Sequence, residues 1–465
     1  MLSNSLSADT TPASTPRFSS SSTRNSRETS CGAVGLVIFI LLFNALSAVL
    51  FLCLINRPTY DDQYNIIDVH TYATQGLTAA AIRANTTPPG PVGFAWMAAS
   101  VRLLGGEELR DARIGAFASW ILLASAILIG ARYASFPDLW YGALLASLVF
   151  PHSVEAMSLV LTEGPALFFG ILGALAWIEF ISQPKVTFCV LLLGIAGGLS
   201  MGLAVTTRQY FLALLPAAVM VAIQQVRSRG WRSNGRWYIG VISSLTAAVL
   251  PVLLLVMIWK GFSSPGMATG TSYPLWKAKL GLSFLRPIIG AFYVSFYLLP
   301  LTFPAMSYIK PNHRWRVVAV ALVGGVAAGY YSDSMLQWGP LRTAVHFLGR
   351  TTTGQLVVFG LVAALTVYNA IAVALLLWDK RHTILSCPLA LFALLTVIFF
   401  VAEQFGVGGN IPLYDRYLLR MAPFLGLIAF ALFPRLTRAR VAALTFMSLV
   451  SHIMLWRYAF GAHGS

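Results

Sequence analysis

Residues 32–55, GAVGLVIFILLFNALSAVLFLCLI, form a nearly uninterrupted apolar run. About 20 apolar residues in a helix cross the hydrocarbon core of a bilayer, so this run predicts a first membrane span. Further apolar runs follow along the whole chain, at 91–104, 114–131, 139–151, 157–180, 186–206, 210–226, 238–259, 287–307, 317–331, 354–378, 384–402, 422–434 and 441–456. The run at 91–104 is short and bounded by Pro91 and Arg102, which is typical of an interfacial or re-entrant helix.

These runs predict an all-α polytopic membrane protein with about 11 to 13 transmembrane helices. The composition agrees, since 57% of the 465 residues are hydrophobic, 10% are charged and the mean hydropathy is +0.73. A soluble domain carries roughly 25% charged residues. Because no interval is long and polar enough for a separate soluble domain, residues 33–465 are predicted to form a single integral-membrane domain.

The first residues, 1–32, are rich in serine and threonine and contain few apolar side chains, which predicts a disordered tail. The apolar run after the tail is too long for a cleavable signal and lacks a small-residue cleavage site. The tail is basic and is therefore expected in the cytoplasm. The segment 57–113 then falls on the extracytoplasmic side.

The net charge of +16 is spread over short connections between spans, which fits membrane orientation and not nucleic-acid binding. If spans alternate and 91–104 does not cross, the basic clusters at 227–236, 310–316, 380–381 and 435–440 lie in the cytoplasm. Most acids then lie on the other side, where the connections are longer. We therefore expect the chemistry to take place on the extracytoplasmic side, of either a bacterial plasma membrane or the endoplasmic reticulum.

The connection after the first span is long, and residues 57–90 read RPTYDDQYNIIDVHTYATQGLTAAAIRANTTPPG. Loops longer than about 12 to 15 residues are usually functional or disordered, and the apolar positions here favour amphipathic helices on a membrane surface. Asp61 and Asp62 stand beside Tyr60 and Tyr64, a setting that suits a general base. The alternative is an ordinary solvated acidic pair. We expect 57–113 to be an active-site loop.

The loop ends in TTPPG, residues 86–90, which predicts a rigid segment followed by a turn. Its two prolines fix an extended segment, and the glycine permits a turn into the next run. Thr87 is a candidate substrate-binding residue, and the alternative is a plain linker before a helix. The sequon that begins at Asn85 is expected to carry no glycan, because a glycan there would obstruct the site.

Glu163 and Arg208 interrupt apolar sequence far from this loop. Glu163 in SLVLTEGPALFF lies inside an apolar run, where an ionisable side chain is a functional hypothesis by default. Its alternative is a cap at the start of a helix. Arg208 in AVTTRQYFLALLP, together with Gln209, marks a polar joint that suits an anion such as a lipid phosphate. The alternative for Arg208 is snorkelling to lipid headgroups.

Arg416 and Arg420 in IPLYDRYLLRMAPFLGLI form a further charged cluster at the start of a late span. Two arginines on the extracytoplasmic side suit a phosphate or a pyrophosphate. A structural pair between Asp415 and Arg416 is the alternative.

The sequence predicts no metal site and no cofactor. The four cysteines share no spacing that would indicate a disulfide framework or a metal site: Cys31, Cys53, Cys189 and Cys387. His152, Glu155 and His346 are weaker candidates, because a single histidine is more often structural and no spacing indicates metal ligation.

With these residues in view, the chain resembles the GT-C superfamily of polytopic glycosyltransferases, which use polyprenyl-phosphate sugars as donors. PTYDDQYNIIDVHTYATQG followed by TTPPG looks most like the dolichyl-phosphate-glucose alpha-1,2-glucosyltransferase family, and TTRQYF is similar to its Arg-Gln segment. LTEGPALFF and YDRYLLRMAPFL resemble bacterial relatives of protein mannosyltransferases and lipid A aminoarabinose transferases. The chain departs from the glucosyltransferase pattern at Asp62, where that family has Glu, and at Asn85, where it has Ile.

The resemblance implies an inverting transfer to a glycan, lipid or protein acceptor, without a metal. An acceptor hydroxyl would lose its proton to Asp61, with Asp62 alongside, and attack the anomeric carbon of the donor. Arg208, with Arg416 and Arg420, would stabilise the departing polyprenyl phosphate. The remaining candidates would contact substrate, and these are Tyr60, Tyr64, Gln209, Glu163 and Thr87.

A multi-spanning transporter or lipid flippase is the competing interpretation. Many transporters show internal repeats and carry their binding residues near the membrane midplane. This sequence has no evident repeat, and its polar residues crowd to one side, which favours an enzyme.

Overall fold

The computed structural model describes residues 23–59, 61–87, 90–183, 185–229, 235–261, 263–268, 283–336, 339–406 and 415–460. Every secondary-structure element in these ranges is helical. The α-helices are α1 Thr23–Leu54, α2 Asp62–Gln75, α3 Ala79–Ala84, α4 Pro91–Leu104, α5 Glu108–Gly130, α6 Pro137–Val149, α7 Ser153–Ser158, α8 Glu163–Ser182, α9 Phe188–Thr207, α10 Leu214–Arg229, α11 Gly235–Trp259, α12 Leu285–Thr302, α13 Pro311–Tyr330, α14 Ser332–Met335, α15 Pro340–Leu348, α16 Thr352–Asp379, α17 Arg381–Ser386, α18 Pro388–Glu403, α19 Ala422–Leu432 and α20 Arg438–Phe460. The prediction of an all-α polytopic membrane protein is confirmed.

Short 3₁₀ helices extend or join several of these elements: Gln209–Ala213, Pro265–Ala268, Phe303–Tyr308, Gln404–Gly406 and Asp415–Met421. Within the described ranges, 10 segments are long and apolar enough to cross a membrane: Val34–Leu54, Glu108–Gly130, Glu163–Ser182, Phe188–Thr207, Gln209–Ser228, Gly235–Trp259, Leu285–Tyr308, Thr352–Asp379, Pro388–Gly406 and Arg438–Arg457.

The difference from the predicted 11 to 13 spans lies in α6, α13 and α19. Helix α6 has 13 residues and α19 has 11, each too short to cross alone, and α13 carries Arg314 and Arg316 near its start. Helices α6 and α19 pack against each other inside the bundle, where neighbouring helices cover them. A Cβ atom added at Gly426 would lie 2.4 Å from the Gly142 carbonyl oxygen, so glycine lets these two backbones meet. Helix α4 is short and apolar, as the sequence predicts.

The first helix begins at Thr23, inside the segment 1–32 for which the sequence predicts disorder. Residues 23–32 extend the spanning helix by polar turns, because arginine and glutamate have high helix propensities. Residues 1–22 lie outside the described part of the chain.

Contacts between distant segments sort the connections into two ends of the bundle. At one end, called here the loop end, Arg83 Nε donates to the Ile258 carbonyl at 2.8 Å, and the Gly90 amide donates to the Thr207 carbonyl at 2.9 Å. The Ser283 amide also donates there to the carbonyl of Phe405 at 3.1 Å. The loop end therefore collects α2 to α4 with the described parts of the connections at 206–211, 258–261, 263–266, 283–286, 404–406 and 415–421.

The opposite end is called the basic end. There, Lys380 Nζ donates to the Leu432 carbonyl at 3.3 Å, and Arg440 Nη1 donates to the carbonyls of Phe433 and Arg435, both at 2.6 Å. Tyr308 donates to Asp379 nearby. This division reproduces the predicted grouping of 310–316, 380–381 and 435–440 away from the 57–113 loop.

Helices α8, α9 and α11 pack closely because small residues line their contacts. A Cβ atom at Gly198 would lie 1.9 Å from the Ser244 carbonyl oxygen. The backbones of α9 and α11 therefore touch at a point that has no room for a side chain.

We expect Gly198→Ala to lower the stability of the bundle by about 1 to 3 kcal/mol, because α9 and α11 must separate to admit the methyl group. Gly35→Ala is the matched control, since a Cβ atom there meets nothing within 4 Å. The measurement is thermal unfolding of the two purified variants in detergent. Equal unfolding temperatures for both would contradict this account of the packing.

Candidate active site at the loop end

The two adjacent acids of the loop have different environments. Asp62 is the first residue of α2 and has no exposed surface. Its Oδ2 accepts from Arg113 Nη2 at 2.6 Å, and also from the Thr59 amide and hydroxyl at 3.2 and 3.1 Å. Its Oδ1 accepts from the Val160 amide at 2.6 Å. Asp62 thus ties the start of α2 to α5 and to the connection between α7 and α8, and both oxygens of its buried carboxylate are occupied by these partners.

Asp61 precedes α2 and turns toward a different partner. Arg416 Nη2 donates to Asp61 Oδ2 at 2.6 Å, although the two residues are far apart in sequence. The Asp61 side chain keeps 31% of its surface exposed, whereas that of Arg416 keeps 5%. Asp61 therefore combines access from outside with a buried cation.

Arg416 also faces two acids from the centre of the chain. Its Nη1 lies 3.5 Å from Glu155 Oε1, and its Nε lies 3.7 Å from Glu163 Oε1. Both acids are buried. Glu155 Oε2 lies 2.8 Å from His152 Nδ1. Three carboxylates from separate segments thus surround one guanidinium.

Glu163, at the start of α8, also pairs with Arg208, at the end of α9. Arg208 Nη2 donates to Glu163 Oε1 at 2.7 Å. These two residues line a small cavity together with Phe211, Tyr417 and Arg420. Within the described structure, Glu163 Oε2 and Arg208 Nε are buried without a hydrogen-bond partner. The cavity has a volume of about 10 Å³ and is bordered by buried polar atoms without partners in the described part of the chain.

Arg420 closes the same cavity from the start of α19. Its guanidinium carbon lies 3.7 Å from the centre of the Tyr210 ring and 4.5 Å from that of Phe400, both cation–π contacts. Its Nη2 lies 3.7 Å from Glu403 Oε1. Its Nε and Nη2 have no hydrogen-bond partner among the described residues. Two guanidiniums with unused N–H groups at one cavity form a site for an anion with several oxygens, such as a phosphate.

Thr86, Thr87 and Gly90 of the TTPPG segment position the backbone next to Arg208. Asp68 accepts from the amide and hydroxyl groups of both Thr86 and Thr87. Burial raises the pKa of the Asp68 carboxyl above its ordinary value of 3.8, and these hydrogen bonds offset part of the rise. Gly90 then packs on the end of α9, where an added Cβ atom would lie 1.8 Å from the Thr206 carbonyl oxygen. The segment thereby fixes the backbone immediately before Arg208.

The structure brings together Asp61, Glu163, Arg208, Arg416 and Arg420 from the predicted set. Gln209 begins the 3₁₀ helix after Arg208. Thr87 is buried against Asp68, and Tyr64 is 48% exposed on α2. Tyr60 lies outside the described residues.

Several residues at this site carried weak or no signal in the sequence. The sequence marks Glu155 only as a weaker candidate, names Tyr417 only as part of the cluster around Arg416, and gives no site role to Phe211 or Glu403. A signal existed for Glu403, which is an acid at the end of an otherwise apolar run. Within the described residues, no group of three or more His, Cys, Asp or Glu side chains is arranged to hold a metal ion.

No protein-family model and no curated protein matches the sequence. Among solved structures, ArnT from Cupriavidus metallidurans matches in its apo state with a TM-score of 0.40 and 16% identity, over 90% of this chain and 78% of that chain. The same protein bound to undecaprenyl phosphate gives a TM-score of 0.40 over 89% of this chain. The Archaeoglobus fulgidus oligosaccharyltransferase in its apo form gives 0.39 and 14% identity, over 90% of this chain and 56% of that chain. Overlap at these TM-scores assigns no residue role to this chain.

We expect the two neighbouring acids to differ sharply when each is neutralised. Asp62→Asn leaves the buried Arg113 cation without its partner and should cost about 3 to 5 kcal/mol. Asp61→Asn should cost less than about 1 kcal/mol, because that side chain is partly exposed and Arg416 keeps two other acids. Thermal unfolding of both purified variants distinguishes them. A larger loss for Asp61→Asn would reverse the assignment of the structural acid.

Proposed function

We propose that this chain is a membrane glycosyltransferase that moves a sugar from a polyprenyl-phosphate-linked donor to an acceptor hydroxyl, with inversion. One observation carries the proposal: a partly exposed carboxylate, Asp61, stands in the same ionic cluster as a buried cavity bordered by Arg208 and Arg420. Activation of the acceptor requires the exposed carboxylate, and departure of a lipid phosphate requires the cavity bordered by arginines. The local likeness of TYDDQ, TTPPG and TTRQYF to GT-C enzymes supports the same function.

The phosphate of the donor binds between Arg208 and Arg420. Arg208 Nε and Arg420 Nε and Nη2 belong to residues that line the cavity, and they are buried donors without a hydrogen-bond partner among the described residues. Leaving such groups unsatisfied is costly, and hydrogen bonds to a charged group are among the strong ones. As the anomeric C–O bond breaks, negative charge grows on the phosphate oxygens, and two preset guanidiniums stabilise that charge.

Asp61 serves as the general base. The proton of the acceptor hydroxyl passes to an Asp61 oxygen, the acceptor oxygen bonds to the anomeric carbon, and the electron pair of the broken C–O bond stays on the phosphate. A single displacement of this kind inverts the anomeric centre. Glu163 Oε2, buried and without a donor in the described structure, is placed to accept a hydrogen bond from a sugar hydroxyl.

The lipid chain of the donor lies in an apolar groove between α12, α13 and α16. The groove has a volume of about 510 Å³, and its lining includes Leu285, Ile288, Phe292, Ala328 and Ala363. Leu285 directly precedes Arg286, whose Nε donates to Gln404 Oε1 at 3.1 Å and which interacts electrostatically with Tyr210 and Tyr417. The Leu285 end of the groove therefore lies on the side of the bundle that carries the phosphate cavity.

The orientation follows the positive-inside rule. The basic end carries Lys310, Arg314, Lys380 and Arg435, so it faces the cytoplasm, and the loop end with the site faces away from it. The site then takes its lipid-linked donor from the leaflet that faces away from the cytoplasm.

The test of the catalytic roles uses membranes from cells that express the native chain, Asp61→Asn or Glu107→Gln. A panel of labelled polyprenyl-phosphate sugars is the donor set, and release of polyprenyl phosphate is measured with sugar transfer. We expect Asp61→Asn to lower transfer by about 100-fold or more. Glu107→Gln, which neutralises an exposed acid of the same loop, should retain activity. Transfer that survives Asp61→Asn would remove the proposed base.

The lipid groove is tested by binding to the purified chain in nanodiscs, with farnesyl phosphate and inorganic phosphate as ligands. We expect Ala328→Phe, which fills the groove, to weaken farnesyl phosphate binding by about tenfold and to leave inorganic phosphate binding unchanged. Ala374→Phe on the exposed face of α16 is the control and should bind both ligands normally. Equal weakening for both ligands would contradict a role confined to the lipid chain.

A further inference from the structure

Arg416 occupies an unusual position for a residue that stabilises a leaving group. It does not line the cavity between Arg208 and Arg420, yet each of its three nitrogen atoms faces a carboxylate. The shortest of these contacts, 2.6 Å, is to Asp61. The residue thus holds the proposed base while it stands one side chain away from the proposed phosphate site.

The charges of this cluster are uneven. Asp61, Glu155, Glu163 and Glu403 supply four carboxylates, Arg208, Arg416 and Arg420 supply three guanidiniums, and His152 contacts Glu155. The excess negative charge lies next to a cavity that has to accept a phosphate. Neutralising one carboxylate balances the cluster and lowers the repulsion on an incoming or departing anion.

The proposed reaction performs such a neutralisation at one defined moment. When the acceptor hydroxyl gives its proton to Asp61, that carboxylate becomes a neutral acid. In the same displacement, the donor phosphate, a singly charged diester, becomes a monoester that carries a second negative charge. One negative charge is therefore lost at Asp61 as another appears in the cavity.

We propose, building on the function above, that Arg416 changes partner in this step: it pairs with the Asp61 carboxylate before transfer and with the departing phosphate after Asp61 is protonated. Protonation of Asp61 removes the anion that holds the guanidinium, and the new charge on the phosphate attracts it. Arg416 thereby couples removal of the acceptor proton to departure of the lipid phosphate.

The distances permit this exchange with a small movement. Arg416 Nε already lies 3.7 Å from Glu163 Oε1, and Glu163 lines the cavity with Arg208. The planar guanidinium presents donors on several sides, so it can keep a contact with Glu155 or Glu163 while it leaves Asp61. The side chain is buried, which limits how far the guanidinium can move.

The experiment measures the affinity of the purified full chain in nanodiscs for farnesyl phosphate, a monoester dianion, at pH 8. Asp61→Asn mimics the protonated acid, because its amide has the same shape and no charge. We expect Asp61→Asn to bind farnesyl phosphate about tenfold more tightly than the native chain, since Arg416 is released. The gain should be smaller for the farnesyl phosphate methyl ester, a singly charged diester that resembles the donor.

A double substitution separates release of Arg416 from a general loss of negative charge. Asp61→Asn combined with Arg416→Gln should bind no more tightly than Arg416→Gln alone. Glu107→Gln, an exposed acid of the same loop, is the charge-matched control and should bind as the native chain does. A gain of the same size in the Arg416→Gln background would overturn the proposal, because the effect would then not pass through Arg416.

The outcomes also distinguish this inference from the function on which it rests. If the native chain binds farnesyl phosphate and Arg208→Gln weakens that binding by about 10- to 100-fold, the phosphate site stands. Unchanged affinity in Asp61→Asn would then overturn the partner exchange alone. If the native chain binds neither ester, the phosphate site is wrong and the exchange falls with it.

Discussion

The ion pairs of the loop end are the interactions on which the rest of this structure depends. A charge buried among apolar helices has to meet an opposite charge or it destabilises the fold. Here the partners come from distant segments: Asp62 pairs with Arg113, Asp61 with Arg416, and Glu163 with Arg208. Each pair therefore fixes two segments relative to each other, and the pairs of Asp61 and Glu163 meet in one ionic cluster at the loop end.

The same requirement explains which part of the site was predictable from the sequence. An acid or an arginine in an apolar run stands out at once, so Glu163, Arg208, Arg416 and Arg420 were identifiable individually. Their partners were not, because ion pairs between distant helices depend on how the helices cross. Asp61 and Asp62 show the limit most clearly. Adjacent residues at a helix start point in different directions, and only the packing decides which carboxylate is buried with Arg113.

The helices were predictable for a similar reason, and the same reason explains why the sequence predicted too many spans. Long apolar runs have to form helices in a membrane, because every backbone polar group needs a partner. Runs that are buried among other helices obey a weaker length requirement, which is why α6 and α19 are shorter than a span. The role of TTPPG was also not predictable. Its composition indicates a rigid segment, whereas the contacts of Thr86 and Thr87 with Asp68, and of Gly90 with Thr206, show which parts of the chain it positions.

The ionic cluster at the loop end has an exposed side and a buried side. The side chain of Asp61 is partly exposed, whereas Arg208 and Arg420 are buried. A polar acceptor and a lipid-linked donor would thus approach from different directions and meet at the ionic cluster. Such an arrangement needs no soluble domain, because the membrane itself presents one substrate to the groove. Under the proposed function, the acidic loop, the arginines and the groove would act together on a donor whose lipid chain stays in the membrane.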